Sequence, residues 1–245
     1  MLLAIDVGNT SLTLGLFNRR RLVRTGRIPT QGAGYRRALA AWLCGPREAV
    51  IISSVVPQAT ASLKKALRPA GVPVLVVGEN LKVPIRNGYR IPRQVGQDRL
   101  VNALAAVERY GGPAIVADFG TGLTIDLVSA RREYRGGMIV PGMEVALEAL
   151  TRKAALLPHI GLVPPKEFLG RDTRSSMRSG LFYGYGALCD GLVSGLKKMA
   201  PGAKVIGTGG HCRLIAPFCQ TIQVVNPHLT LQGLELTYRL AKKSY

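Results

Sequence analysis

The sequence predicts an α/β protein built from two similar halves, each with a mixed β-sheet flanked by helices. The first observation is a repeated motif: one apolar strand ends in Asp6-Val7-Gly8, and another ends in Asp118-Phe119-Gly120, 112 positions later. The second observation is that strand and helix patterns alternate after each motif, which is typical of helices packed on a sheet. Because a repeat at half the chain length indicates a repeated unit, we expect one half over residues 1–112 and the other over 113–245.

The first half begins with a predicted meander of strands and continues with alternating helices and strands. Leu2–Ile5 is uniformly apolar, and Leu12–Phe17 alternates large apolar residues with small or polar ones, as a half-buried strand does. Apolar residues at helical spacing predict the helices, and prolines mark the borders of the later strands. The other predicted elements are strands near 22–28, 49–56 and 74–77, and helices over 35–43, 60–67 and 99–110.

The second half repeats this order around the second motif. Strands are predicted at 113–117, 123–128 and near 134–140. Apolar residues at a 4-3-4-3 spacing predict a helix from Met143 to Leu157, closed by Pro158. Asp172 or Thr173 can cap a long helix through Met199, in which glycines cost stability and predict close packing of a helix or ligand. A strand entering a glycine-rich turn at 204–210, a last strand and a terminal helix complete the chain.

Charge restricts the classes of function. Thirty-three Lys and Arg residues against 14 Asp and Glu residues give a net charge of +19, which attracts anionic substrates and raises non-specific affinity for nucleic acid. Seven arginines lie between Arg19 and Arg37. Because this segment has no interleaved aromatic residues, helix-turn-helix spacing or basic tail, we interpret it as a solvated face and expect no nucleic-acid site.

Cysteine spacing and hydropathy predict a cytoplasmic protein. The four cysteines contain no C-x-x-C pair and are expected to be reduced thiols, and His211-Cys212 with Cys219 fits no common zinc pattern. An acid at position 6 argues against a signal peptide. No apolar run reaches the roughly 18–20 residues that a membrane-spanning helix needs, so we expect no membrane segment.

The Asp–x–Gly turns have the chemistry of a phosphate site. Glycine lets backbone N–H groups and Thr hydroxyls approach a phosphate, while the carboxylate can hold a cation or its water shell. A third turn, Thr208-Gly209-Gly210, offers room for a nucleoside. The sequence lacks a P-loop motif and a G-x-G-x-x-G after the first strand, which argues against those two nucleotide folds. Asp98 opens a helix, either as a cap or as a catalytic carboxylate, and the residues alone leave both roles open.

Two apposed hairpins of this kind resemble the superfold of actin, heat-shock ATPases and sugar kinases, with two ribonuclease H-like domains and a nucleotide cleft between them. A narrower resemblance is carried by Asp6–Thr10, Tyr89 with Pro92, Val95–Arg99, Asp118–Thr121, Thr124-x-Asp126, Gly136–Gly142, Gly170-x-x-Thr173 and Thr208–Gly210. Through these residues the sequence is similar to the type III pantothenate kinases over nearly the whole chain. Two departures from the family pattern are Gly122-Leu123, expected to alter turn packing, and Gln97, expected to reshape the pantothenate pocket.

This resemblance implies an enzyme that uses ATP to convert pantothenate to 4'-phosphopantothenate, the first step of coenzyme A biosynthesis. It also implies a homodimer whose pantothenate pocket lies by the dimer interface. Asp98 is the implied catalytic base, Asp118 the implied ligand of a monovalent cation (potassium or ammonium), and Asp6 would face the Mg²⁺ shell. The implied ATP site comprises Asp6, Val7, Gly8, Asn9, Thr10, Ser11, Leu12, Thr13 and Thr121. The implied pantothenate site comprises Tyr89, Gly96, Gln97, Asp98, Arg99 and Thr173.

Two other functions stay open on the sequence. The chain could be a basic regulatory protein on the same fold, binding nucleic acid through the Arg19–Arg37 segment. It could also be a kinase of this superfold that acts on a different small alcohol. Salt-sensitive DNA binding would distinguish the first, and a panel of acceptor alcohols the second.

Overall fold

The computed structural model describes residues 1–30 and 34–242, and the side chain of Arg36 also lies outside this description. The arginine-rich segment 19–37 and the predicted second half therefore each extend beyond the described residues. The chain divides into two compact units: Met1–Ala105 together with the residues from Leu229 onward, and Ala106–His228.

The first unit is a mixed sheet with helices on both faces. Its elements up to the unit boundary are β1 (Leu2–Val7), β2 (Ser11–Asn18), β3 (Arg21–Pro29), α1 (Tyr35–Leu43), β4 (Ala49–Ser54), α2 (Pro57–Leu67), β5 (Val74–Val76), β6 (Arg86–Asn87) and the first part of α3 (Gln97–Tyr110). Five strands lie in the order β3-β2-β1-β4-β5. The central strand β1 runs antiparallel to β2 and parallel to β4. One sheet face packs Leu3, Ile5 and Val50 against Leu39 and Leu63 of α1 and α2.

The second unit has strands in an equivalent order. Its elements after α3 are β7 (Ala114–Phe119), β8 (Gly122–Val128), β9 (Glu133–Pro141), α4 (Met143–Lys153), α5 (Thr173–Met199), β10 (Lys204–Thr208), α6 (Cys212–Ile215) and β11 (Val224–Val225). These strands lie in the order β9-β8-β7-β10-β11. β7 runs antiparallel to β8 and parallel to β10. The sheet face that carries Ile115 and Ala117 packs on α5 through Phe182, Cys189 and Val193.

The last helix, α7 (Leu229–Lys242), belongs to the first unit although it is the end of the sequence. Leu231 and Leu234 pack on Leu2, Ala4 and Ile51 of the first sheet. The division of the chain thus differs from two consecutive segments meeting at residue 112. The physical reason is that the second face of the first sheet is apolar and is covered by a helix that the sequence supplies only at its end.

Three helix boundaries differ from the predicted ones. α2 begins at Pro57 rather than at residue 60, because proline needs no hydrogen-bond acceptor for its nitrogen in the first turn of a helix. α4 ends at Lys153 rather than at Leu157. Pro158 disfavours helical geometry at the residue before it, and residues 154–157 close a turn through the Leu157 N–H and the Ala154 carbonyl. α3 starts at Gln97, two residues early.

Among residues 1–30 and 34–242, no helix is both long enough and apolar enough to cross a membrane.

Candidate active site

The first sheet places one acid and two hydroxyl side chains in a row across three neighbouring strands. Asp6 on β1 is the register partner of Thr13 on β2 and of Ser53 on β4. Paired residues on adjacent strands project from the same face of a sheet. At this edge of the sheet, a hydroxyl, a carboxylate and a second hydroxyl therefore lie side by side on one face.

The second sheet repeats this row. Asp118 on β7 is the register partner of Thr124 on β8 and of Thr208 on β10. Thr124 donates a 3.3 Å hydrogen bond to Oδ2 of Asp126, whose Oδ1 accepts a 2.9 Å bond from the Tyr134 hydroxyl. The repeated motif seen in the sequence thus corresponds to a repeated arrangement of oxygen atoms.

In each row, the hydroxyl on the strand parallel to that of the acid is fully buried. Ser53 and Thr208 are each 0% exposed, and their hydroxyl oxygens have no hydrogen-bond partner among the described residues. A buried hydroxyl without a partner costs about 1–3 kcal/mol, so each is suited to meeting a polar group from outside the chain. Carboxylate and hydroxyl oxygens are the donors that Mg²⁺ and other hard cations prefer. The rows therefore fit the cations that the resemblance implies.

Thr30 shapes the first turn, which connects β1 to β2. Its hydroxyl donates a 2.6 Å hydrogen bond to the Gly8 carbonyl, and its N–H donates a 3.0 Å bond to the Thr10 carbonyl. Gly8 N–H in turn donates to Ser11 at 3.1 Å. The turn is thereby closed on one side, while Asn9 and Thr10 stay exposed.

The second turn, between β7 and β8, rests on the start of α4. The Gly142 N–H donates a 2.9 Å bond to the Thr121 carbonyl. A Cβ on Gly142 would lie 2.4 Å from the carbonyl oxygens of Gly120 and Thr121, so only glycine permits this approach. A small surface depression adjoins the turn, lined by Phe119, Gly120, Leu123, Gly142, Met143, Tyr185 and His211.

The third turn follows β10 and touches the acid of the second row. Gly209 has a φ of +91°, and a Cβ there would lie 2.4 Å from Oδ1 of Asp118. The Asp118 carboxylate therefore leans toward β10. Its negative charge adds to burial in raising the pKa of the Cys212 thiol to about 11.

Asp98 lies in the first turn of α3, one residue inside the helix. Its Oδ1 accepts a 2.9 Å hydrogen bond from the N–H of Arg99, and a Cβ on Gly96 would lie 2.4 Å from that oxygen. Desolvation raises the pKa of Asp98 above its ordinary value, against the lowering effects of the Arg99 N–H and guanidinium. Asp98 is therefore a more basic carboxylate than an exposed aspartate.

Tyr89 and Gln97 are held by contacts that the sequence did not reveal. The Asn87 side chain accepts a 3.0 Å bond from the Tyr89 N–H and donates a 3.1 Å bond to the Pro92 carbonyl, which fixes the loop before α3. The Gln97 side chain covers the turn at Gly78, where a Cβ would lie 2.8 Å from its Cδ. Gln97 thus braces this turn of the first unit.

Thr173 is the first residue of α5. Asp172 caps the helix by accepting a 2.9 Å bond from the Ser175 N–H, and the Ser175 hydroxyl accepts a 3.0 Å bond from the Asp172 N–H. The Ser175 N–H holds the pKa of Asp172 below its usual range. The cap fixes the direction of the chain at Thr173.

The predicted site residues divide between the units as follows: Asp6–Thr13, Tyr89 and Gly96–Arg99 lie in the first, and Asp118, Thr121 and Thr173 lie in the second. Sequence reasoning missed Ser53, Thr30 and Asn87. Ser53 and Thr30 carry no local signal because long-range strand pairing brings each to its partner. Asn87 did carry a local sequence signal, because Asn-Gly favours a turn in which the side-chain amide hydrogen-bonds to the backbone.

Comparison with known proteins gives consistent matches. A family model described as type III pantothenate kinase matches residues 2–195. The type III pantothenate kinase of Geobacter sulfurreducens is 42% identical over 250 residues, which cover 97% of this chain and 98% of the relative.

Two solved structures share the fold. The activator of 2-hydroxyisocaproyl-CoA dehydratase from Clostridium difficile, with bound ADPNP, has a TM-score of 0.61 at 10% identity and covers 99% of this chain and 96% of its own. The ROK hexokinase of Thermus thermophilus has a TM-score of 0.53 at 16% identity and covers 100% and 99%. The predicted fold class, that of the actin-like ATPases and sugar kinases, is confirmed.

Proposed function

The chain belongs to the type III pantothenate kinase family, and from that premise we propose how its residues transfer the terminal phosphoryl group of ATP to pantothenate, the first step of coenzyme A biosynthesis. The observation that carries the proposal is the pair of oxygen rows, Ser53–Asp6–Thr13 and Thr208–Asp118–Thr124, each beside a glycine turn. Phosphoryl transfer depends mainly on positioning and charge neutralisation. The turns would position the phosphates, and the carboxylates would hold the cations that neutralise the phosphate charge.

Residues 6–13 are the proposed ATP-phosphate site, with Thr121 as a further contact. Backbone N–H groups and hydroxyls of the first turn would bind phosphate oxygens, as glycine turns do in other phosphate sites. The Asp6 carboxylate would hold the water shell of Mg²⁺, and Asp118 a potassium or ammonium ion. When bound, these cations neutralise the charge on the phosphates.

Asp98 is the proposed general base. The pantothenate hydroxyl oxygen forms a bond to the γ-phosphorus while the bond from that phosphorus to the β–γ bridging oxygen breaks, and ADP leaves. The hydroxyl proton passes to the Asp98 carboxylate. Partial burial raises the pKa of this group, which strengthens it as a proton acceptor, and its hydrogen bond to the Arg99 N–H orients it.

Tyr89, Gly96, Gln97, Arg99 and Thr173 are the proposed pantothenate contacts. Arg99 is 93% removed from solvent, and its guanidinium is chemically suited to the pantothenate carboxylate. Because the Gln97 side chain is packed over Gly78, its contribution to the pocket is proposed to come from its backbone.

A homodimer is also part of the proposal. Four glycines of α5 share one helix face by their spacing, and a Cβ on any of them would meet nothing within 4 Å in the described chain: Gly180, Gly184, Gly191 and Gly195. Among the α5 glycines, Gly186 alone shows the close packing expected from the sequence within the described residues, against the Phe218 carbonyl. Nearby, Phe168 and Leu169 are 72% and 75% exposed. Each helical glycine costs about 1 kcal/mol against alanine, and a partner helix packed on this face would offset that cost.

A cytoplasmic location and the absence of a nucleic-acid role complete the proposal. The four cysteines are free thiols, as in a reducing compartment. In the arginine-rich segment, Arg24 lies 4.2 Å over the Trp42 ring and donates a 3.0 Å bond to the Ala41 carbonyl, so it supports the fold. Arg19, Arg20, Arg21, Arg27 and Arg37 are exposed, as expected for a solvated face.

A turnover assay under steady-state conditions, with pantothenate, ATP, Mg²⁺ and potassium, tests the proposal. We expect pantothenate-dependent ADP release by the wild type, and a fall in kcat of roughly 10²-fold or more in Asp98→Asn, the size of a general-base contribution. Near-normal turnover of Asp98→Asn would leave Asp98 with only a structural role in the first turn of α3. A panel of other small alcohols, run in parallel, would reveal a different acceptor, and DNA binding that weakens with salt would favour the regulatory alternative.

A further inference from the structure

Thr208 is an unassigned hydroxyl beside the acid of the second row. It ends β10 as the register partner of Asp118 and is fully buried. Its hydroxyl oxygen has no hydrogen-bond partner within the described part of the chain. The other hydroxyl of the row belongs to Thr124 and is already engaged with Asp126.

The Asp118 carboxylate leans toward Thr208. Its Oδ1 lies so close to Gly209 that a Cβ there would be 2.4 Å away, and Gly209 directly follows Thr208. The Asp118 carboxylate therefore lies on the side of β7 that faces β10, where the Thr208 hydroxyl is located. Their register places the two residues side by side on adjacent strands, and the backbones of neighbouring strands lie about 4.8 Å apart.

The chemistry of this pair selects a cation of low charge. A carboxylate repels the oxygens of a phosphate, whereas a carboxylate and a hydroxyl together offer two oxygen ligands to a hard cation. The second acid on this face, Asp126, is occupied by Tyr134 and Thr124. One carboxylate beside one neutral hydroxyl suits a monovalent ion.

We propose that the Thr208 hydroxyl is a ligand of the same monovalent cation that Asp118 holds. This inference rests on the proposed function, which gives Asp118 that ion but assigns Thr208 no part in binding it. Thr208 thereby links the third turn to the ion, because the residue after it is the one that abuts Asp118.

Three variants and a control test this assignment. Thr208→Val keeps the shape and removes the hydroxyl, Thr208→Ser keeps the hydroxyl, and Asp118→Asn removes the charge. Thr151→Val is the control, because Thr151 is a buried threonine of the same unit whose hydroxyl donates to the Leu147 carbonyl at 3.0 Å. Each protein is titrated with potassium chloride at constant ionic strength, balanced with choline chloride. Kinase activity and the potassium-dependent rise in Tm are both recorded, since an ion that binds the folded state raises Tm.

We expect Thr208→Val to raise the potassium concentration for the half-maximal Tm shift by roughly tenfold or more, as loss of a metal-site partner does. Thr208→Ser and Thr151→Val should stay near the wild type. A Thr208→Val titration that overlays the wild type, while Asp118→Asn loses the response, would overturn this inference and leave the kinase intact. If Thr208→Val does not fold, Thr208→Ala, which also removes the hydroxyl, replaces it: a raised midpoint supports the inference, and a midpoint equal to that of the wild type overturns it. A wild type that ignores potassium in both measurements would remove the ion from Asp118 and from Thr208 together.

Discussion

The Thr30 hydroxyl donates a 2.6 Å hydrogen bond to the Gly8 carbonyl and so joins the end of β3 to the turn that follows β1. The Thr30 N–H donates to Thr10 in the same turn, and its carbonyl accepts a bond from the Tyr35 hydroxyl. Thr30 is thus bonded to both sides of the proposed phosphate-binding turn and to α1. Both hydrogen bonds end on backbone carbonyls of the turn, so Thr30 acts by holding the conformation of the turn.

Thr30→Val should raise the KM for ATP more than it lowers kcat. The change removes one buried hydrogen bond, worth about 1 kcal/mol, so KM should rise several-fold if the turn binds phosphate. Steady-state kinetics with varied ATP and saturating pantothenate measure this. Thr60→Val is the control, because the Thr60 hydroxyl donates a 3.1 Å bond to the Val56 carbonyl away from the turn. Equal KM values in the two variants would contradict a positioning role for Thr30.

Asp98→Asn should be more stable than the wild type near neutral pH. The folded-state pKa of Asp98 is raised, so its ionised form disfavours folding at pH values above that pKa. The difference should disappear as the pH falls below the unfolded pKa of about 3.9. Thermal unfolding measured from neutral pH down to about one unit below that unfolded pKa tests both parts of the prediction.

The contrasting control for that measurement is Asp190→Asn. The Asp190 carboxylate accepts hydrogen bonds from the N–H groups of Gln220 and Thr221 and from the Thr221 hydroxyl, at 2.6–2.9 Å. Its substitution should lower Tm. A neutral-pH Tm for Asp98→Asn at or below the wild type would show that the desolvation of Asp98 is not a net cost.

Gly209→Ala should impair activity far more than Gly202→Ala. Both glycines have positive φ, +91° and +79°, so each alanine carries a backbone cost of about 1–2 kcal/mol. At Gly202 a Cβ meets nothing within 4 Å, whereas at Gly209 it would collide with Asp118 and with the Phe119 backbone. The prediction is tested by measuring Tm and kcat/KM for both variants. A similar loss of kcat/KM in both would mean that backbone strain alone accounts for the effect.

Gly184→Arg should convert a dimer to a monomer without unfolding it. The position is exposed and has room for a side chain in the described chain, but an arginine there would obstruct a partner helix. Sedimentation velocity over a range of concentrations gives the oligomeric state. Ala61→Arg on the exposed side of α2 is the control. A Gly184→Arg protein that sediments like the wild type would remove this face of α5 from the proposed interface.

Local patterns in the sequence account for much of this fold. Both hairpins follow from apolar strands that end in Asp–x–Gly. Residue type narrows the cap of α5 to Asp172 or Thr173, and the structure shows that it is Asp172. Long-range relationships do not: the register that sets Ser53 beside Asp6, or Thr208 beside Asp118, depends on parallel pairing across a helical crossover. The short elements β6 and α6 have too few residues to show a period.

The position of α7 in the first unit has a consequence for biosynthesis. Leu231 and Leu234 cover β1 and β4, yet they are synthesised only after every residue of Ala106–His228. Domains generally fold as units in the order of synthesis, but here the first sheet must wait, with one apolar face uncovered, until α7 has been made. The nascent chain therefore exposes an apolar surface while the whole second unit is synthesised, and a stop codon placed just before Leu229 would release a protein whose second unit is complete and whose first unit is not.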